Sequence, residues 1–90
     1  MIPHSRPTLG KEETAAALAV LRTGQIAQGE RVTAFEKALA EQVGVGDAAA
    51  VSSGTAALQL SLLALGIGEG NEVVIPSFVC SALLHAVRAV

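Results

Sequence analysis

The stretch whose residue types could do chemistry is Ser52-Ser53-Gly54-Thr55-Ala56-Ala57. It lies between an apolar run and a leucine-rich segment, which reads as the loop after a buried strand opening into a helix. In an α/β layer that is the place where ligands bind. The first turn of a helix has amides without intrahelical partners and a partial positive charge, Gly54 lets the backbone approach a ligand closely, and Ser53 and Thr55 add hydroxyls. Together these groups could cradle a phosphate. The same residues also make an ordinary helix start, in which Ser53 or Thr55 accepts a hydrogen bond from its own helix amides and nothing is bound. On spacing alone the cap is favoured over the phosphate.

Other candidates carry less. Gly66-Ile67-Gly68-Glu69-Gly70 follows a helix and precedes a strand, the wrong order for a dinucleotide fingerprint, and reads as a tight turn. His4 and His85 have no acid or thiol near them in sequence and read as structural. The only lysines, Lys11 and Lys37, sit among the charges of surface helices, whereas a Schiff-base lysine needs a desolvated pocket. Cys80 is the single cysteine, so no internal disulfide forms, and no Cys/His spacing resembles a metal site. A net charge of −2, no Trp or Tyr and no basic run argue against nucleic acid, which demands a phosphate-neutralising patch and stacking rings.

The elements that must position the loop follow from how charge is distributed. Residues 1 to 47 hold 11 charged side chains and residues 48 to 90 only Glu69, Glu72 and Arg88, so the first half reads as surface and the second as interior. Ala48 to Gly68 is free of charge, yet its Ser-Ser-Gly-Thr cluster reads as a turn entering a helix and not as a membrane span. A first helix runs from Lys11 to Thr23, with Glu12 and Glu13 at its positive end, Arg22 at its negative end and Gly24 as its stop. Val32, Phe35, Leu39 and Val43 form the apolar stripe of a second helix ending at Gly44. Residues 48–52 and 72–75 read as buried strands flanking a helix from Thr55 to Leu65, and a last helix spans Ser77 to Val90. The expected fold class is thus α/β: two N-terminal helices over 1–46, then strand-helix-strand-helix over 47–90.

The order and spacing of several blocks carry a resemblance. Arg6-Pro7, the Glu12-Glu13 helix, Gly24 to Gly29, Phe35 to Ala40, Ser52 to Leu58, Ala64 to Gly68 and Glu72 to Phe78 resemble the N-terminal part of the DegT/DnrJ/EryC1/StrS family of pyridoxal-phosphate-dependent sugar aminotransferases. The resemblance implies a part of the three-layer α/β/α large domain of such transferases. It also implies that amides and a hydroxyl at Gly54, Thr55 and Ala56 hold the cofactor phosphate, which turns the phosphate reading of this loop from the lesser to the leading one. The family usually stacks an aromatic ring on the pyridine at the position matching Cys80, with Thr often at Val79 and Asn at His85. A thiol stacks weakly, so either Phe78 takes the place by a local shift or cofactor binding differs.

The resemblance further implies nucleotide-linked keto-sugar and amino acid substrates for the full-length enzyme. The family's Schiff-base lysine and pyridine-nitrogen acid lie beyond position 90, which makes this chain a fragment expected to bind pyridoxal phosphate weakly or not at all and to be inactive alone. The alternative is a non-catalytic truncated module that self-associates. With only Phe35 and Phe78 as aromatics and 17 alanines, the core is shallow, and an association into homo-oligomers is expected. The N-terminus has no apolar signal region, and with one cysteine the expected location is cytoplasmic, with no membrane contact.

Overall fold

The positions where this chain cannot stay helical set its elements. The computed structural model describes residues 1–90 and contains four helices: α1 (Lys11–Thr23), α2 (Glu30–Val43), α3 (Gly54–Ala64) and α4 (Ala82–Arg88). They fall into two units, Met1–Ala48 and Ala49–Val90.

In the first unit α1 starts where the Gly10 amide donates to the Glu13 carboxylate at 2.7 Å, the half of a capping box that does not need a side chain at the cap. The Thr14 hydroxyl closes the same turn on the Gly10 carbonyl at 2.9 Å. The helix stops at Gly24, whose left-handed backbone (φ +74°) returns its N–H to Leu21 O. Helix α2 ends likewise at Gly44, where the amides of Gly44 and Val45 both reach Ala40 O. Ala40 is the one buried residue of this unit. The expected stripe on α2 is only half covered: Val32 is half-buried, and Phe35, Leu39 and Val43 are exposed.

In the second unit α3 packs on α4. Thr55, Ala56, Ala57, Gln59 and Leu62 are half-buried on α3, and Ala86 is fully buried on α4 between half-buried Leu83 and Val87. Alanine at the centre of that contact lets two short helices approach closely. The end of α3 is a Schellman motif: the Ile67 N–H reaches Leu62 O at 2.9 Å, and that of Gly66 reaches Leu63 O at 3.0 Å. This geometry places Gly66 at φ +71°, where a Cβ would meet its own carbonyl.

The α/β expectation fails, because the structure is all helical, with four helices and no strand. Residues 48–52 and 72–75 were assigned to strands on apolar content. Apolar content marks a segment for burial, whereas a strand exists only through a ladder with a partner, and no ladder joins these two. The second segment keeps the side-chain alternation of a strand, with Val73 and Ile75 half-buried and Val74 almost fully exposed. In the first, alanine's low β propensity adds nothing. The last helix is also shorter than the expected span from Ser77 to Val90. It begins at Ala82, after Pro76 and the β-branched Val79, both poor helix formers.

The cost of this architecture is exposed surface. The chain exposes 8014 Å², whereas two separate compact bodies, each of half its 9.1 kDa mass, would expose about 5,900 Å². Leu58, Leu60, Leu63 and Leu65 of the α3 region are 39% to 77% exposed, against the expectation that this helix is covered on most sides. No helix is long and apolar enough to cross a membrane.

Candidate functional site

The Ser53–Ala56 turn is built by a backbone that changes conformation within one residue. Ser53 is extended (φ −163°, ψ 162°) and caps α3. Its Oγ accepts from the Ala56 amide at 3.1 Å, and its carbonyl accepts from the Ala57 amide at 3.0 Å. The cap foreseen as one reading of this sequence is therefore present. It leaves the Gly54 and Thr55 amides, the first two of the helix, without an intrahelical partner and at the positive end of the helix dipole. No charged side chain lies between Ala48 and Gly68 to neutralise that end.

Gly54 is informative because the fold itself does not demand glycine there. Its φ is not left-handed, and nothing lies within 4 Å of the place a Cβ would take. The two free amides and the hydroxyls of Ser53 and Thr55, with open space beside Gly54, are a donor set of the right chemistry for a phosphate. One donor is committed elsewhere, since the Ala56 amide already bonds Ser53. A phosphate oxygen can reach Ala56 only by displacing that hydroxyl. Ser53 lay outside the set Gly54, Thr55, Ala56 and Cys80 assigned from the resemblance, yet it governs the third amide. The signal was a serine three residues before the amide, the ordinary N-cap spacing.

Gly54, Thr55 and Ala56 are brought together by being consecutive in the first turn of α3. Cys80 is an exposed free thiol two residues before α4, and no hydrogen bond ties its side chain to the 53–56 turn. Phe78, the alternative stacking ring, is fully exposed, and His85 is exposed on α4. Lys11 and Lys37 are exposed on α1 and α2. The glycine-rich segment after α3 is a tight turn, as its position indicated. The Asn71 amide donates to Gly68 O and the Gly68 amide to Asn71 Oδ1, both at 3.0 Å, with Gly70 at φ +88°.

A groove of about 470 Å³ lies elsewhere, in the first unit, between the end of α1 (Val20, Thr23) and the start of α2 (Glu30, Arg31), with Gln25 on its wall. It contains none of the residues with chemistry assigned to them, and its mouth is open to solvent. The Gln25 side-chain amide lies 3.0 to 3.2 Å from where a Cβ on Gly29 would stand.

Glu13 caps the first turn of α1 through its carboxylate. Its carboxyl is held below the usual glutamate value, first by its own backbone amide and then by that of Gly10. This is a helix-start effect and not catalytic tuning. With the geometry in place, comparison with protein families adds one finding: the model of the DegT/DnrJ/EryC1/StrS aminotransferase family matches residues 7–90.

Proposed function

Because this chain belongs to the DegT/DnrJ/EryC1/StrS aminotransferase family, we propose that it is the N-terminal part of a pyridoxal-phosphate-dependent aminotransferase. Its reaction would move an amino group from an amino acid to a keto-sugar carried on a nucleotide. The observation that carries the reading is the first turn of α3, with two free amides beside a glycine that the fold does not require. Gly54 and Thr55 would hold the cofactor phosphate through their amides, Thr55 would add its hydroxyl, and Ala56 would join when Ser53 releases it. When bound, the cofactor supplies the electron sink for amino transfer. The chain's own part is orientation: a phosphate fixed at a helix end anchors one side of the ring system. Cys80 lies at the position of the stacking residue and offers a thiol in place of a ring.

The 90 residues alone do not catalyse transamination in this reading, since Lys11 and Lys37 are both exposed and neither offers a desolvated amine. The setting is cytoplasmic, which suits a free thiol. Titration with pyridoxal phosphate, followed by amide resonances, tests the site. Shifts concentrated at Gly54, Thr55 and Ala56 support it, and shifts spread over the surface or confined to Lys11 and Lys37 would sink it. Borohydride trapping with peptide mapping tests the inactivity, which a stoichiometric adduct on either lysine that turned over would contradict.

A second reading, a non-catalytic module that self-associates, is favoured by the exposed leucines of the α3 region. The gene separates the two. A frame continuing past Val90 to a downstream lysine motif supports the enzyme, and a natural stop codon after Val90 supports the module.

A further inference from the structure

Of the four helices, only α3 is closed by the side chain of its N-cap residue: the caps of α1 and α2 are glycines, and the Ser81 side chain bonds no amide of α4. The exception falls at the turn that offers itself to a phosphate. Ser53 Oγ holds the Ala56 amide at 3.1 Å, toward the long end of the range for such bonds, and Ser53 is exposed, so its hydroxyl can turn away without repacking a neighbour. The helix start survives that rotation, because the Ala57 amide stays on the Ser53 carbonyl at 3.0 Å. We propose that Ser53 is a displaceable cap, whose hydroxyl occupies the third amide of α3 until a phosphate monoester takes it. The proposal rests on the phosphate reading of this turn and adds to it a residue that works against binding.

The competition has a definite direction. A neutral hydroxyl accepts the Ala56 amide in an ordinary hydrogen bond, whereas a phosphate oxygen accepts it in a charge-assisted one, roughly twice as strong. No charged side chain occurs from Ala48 to Gly68, so no lysine or arginine of this segment supplies the affinity and each amide counts. Gly54 and Thr55 present amides without an intrahelical partner, and the third comes only with loss of the cap. Ser53 is thus a positioning residue that acts on the ligand through Ala56. Alanine and aspartate in its place separate this role from a structural one. Alanine abolishes the cap and frees the amide, while aspartate caps as well as serine but sets a carboxylate on the same amide. Stability and affinity then move in opposite directions, whereas a merely structural serine moves them together.

Titration of the 90-residue chain with pyridoxamine phosphate, which has no aldehyde to react with Lys11 or Lys37, tests this through amide resonances and hydrogen exchange, with pyridoxamine as the control lacking phosphate. Ser53→Ala should bind about twofold to thirtyfold more tightly than the parent, the factor that loss of a cap represents, although its α3 is less stable. Ser53→Thr should bind like the parent, and Ser53→Asp at least about tenfold more weakly with helicity retained. In Ser53→Ala the Ala56 amide should exchange fast in the free chain and become protected at saturation. Unchanged or weaker binding by Ser53→Ala, or an Ala56 amide still unprotected at saturation, overturns the displaceable cap while shifts at Gly54 and Thr55 leave the phosphate reading standing. Absence of those shifts in the parent and in Ser53→Ala alike, at millimolar probe, removes both.

Discussion

Ser53, Gly54 and Glu13 show how much rests on single side chains in a chain with two buried residues. The Ser53 hydroxyl satisfies the Ala56 amide, so Ser53→Ala should lower the stability of α3 by about 0.5–2 kcal/mol, read as faster amide exchange at Ala56 and Ala57. Unchanged protection there would mean that the cap contributes nothing. Gly54→Ala should behave in the opposite way. Its Cβ meets open space, so helix stability should hold or rise by no more than about 1 kcal/mol, while the proposed phosphate contact would be weakened by a methyl group beside the two amides. If affinity is unaffected by that methyl group, Gly54 does not line the phosphate site. Glu13 supplies a pH dependence with a definite sign. Its carboxyl is depressed in the folded chain, so its contribution to α1 is complete above the unfolded glutamate pKa and is lost as pH falls through the folded value. Helicity of α1 should therefore decline on acidification below the ordinary glutamate range, and Glu13→Gln should remove that part of the titration.

At the scale of elements, the first three helices were legible because their ends are decided locally, whereas α4 begins five residues later than the span read for it. The span from Lys11 to Thr23 was read correctly from two acids, one base and a following glycine, and α2 and α3 were read to within two residues. Gly66 is where such a local device can be tested. At φ +71°, Gly66→Ala should destabilise the α3 terminus by about 1–2 kcal/mol, visible as fraying of Leu62 to Leu65 in hydrogen exchange. An alanine variant as protected as the parent would show that the Schellman turn is not what ends the helix. The strands were misread for the complementary reason. Val73, Val74 and Ile75 have strand composition and even strand alternation of exposure, but composition cannot provide the neighbour whose carbonyls and amides complete a ladder.

For the whole molecule, the exposed 8014 Å² decides how it should unfold. A chain that buries so little apolar surface has little for denaturant to act on, so the urea m-value of the dilute chain should fall below about 1 kcal/mol/M, with a broad transition. Raising the concentration should sharpen the transition and move its midpoint upward if copies cover each other. A steep, concentration-independent transition would show that each unit closes a core of its own.

The sequence by itself determined the boundaries of α1, α2 and α3 to within two residues, the tight turn in Gly66 to Gly70 and the ordered blocks that place the chain in its family. Each of these depends on neighbours within a few residues or on the linear order of motifs, and both are written in the chain. Only the tertiary structure decided that 48–52 and 72–75 form no sheet, that Phe78 and Leu65 stand in solvent, and that α4 packs on α3. It also decided that the Ser53 hydroxyl takes the Ala56 amide. Burial and strand pairing depend on segments distant in sequence coming together, and a hydroxyl with several acceptors and donors in reach chooses among them only once the backbone is fixed.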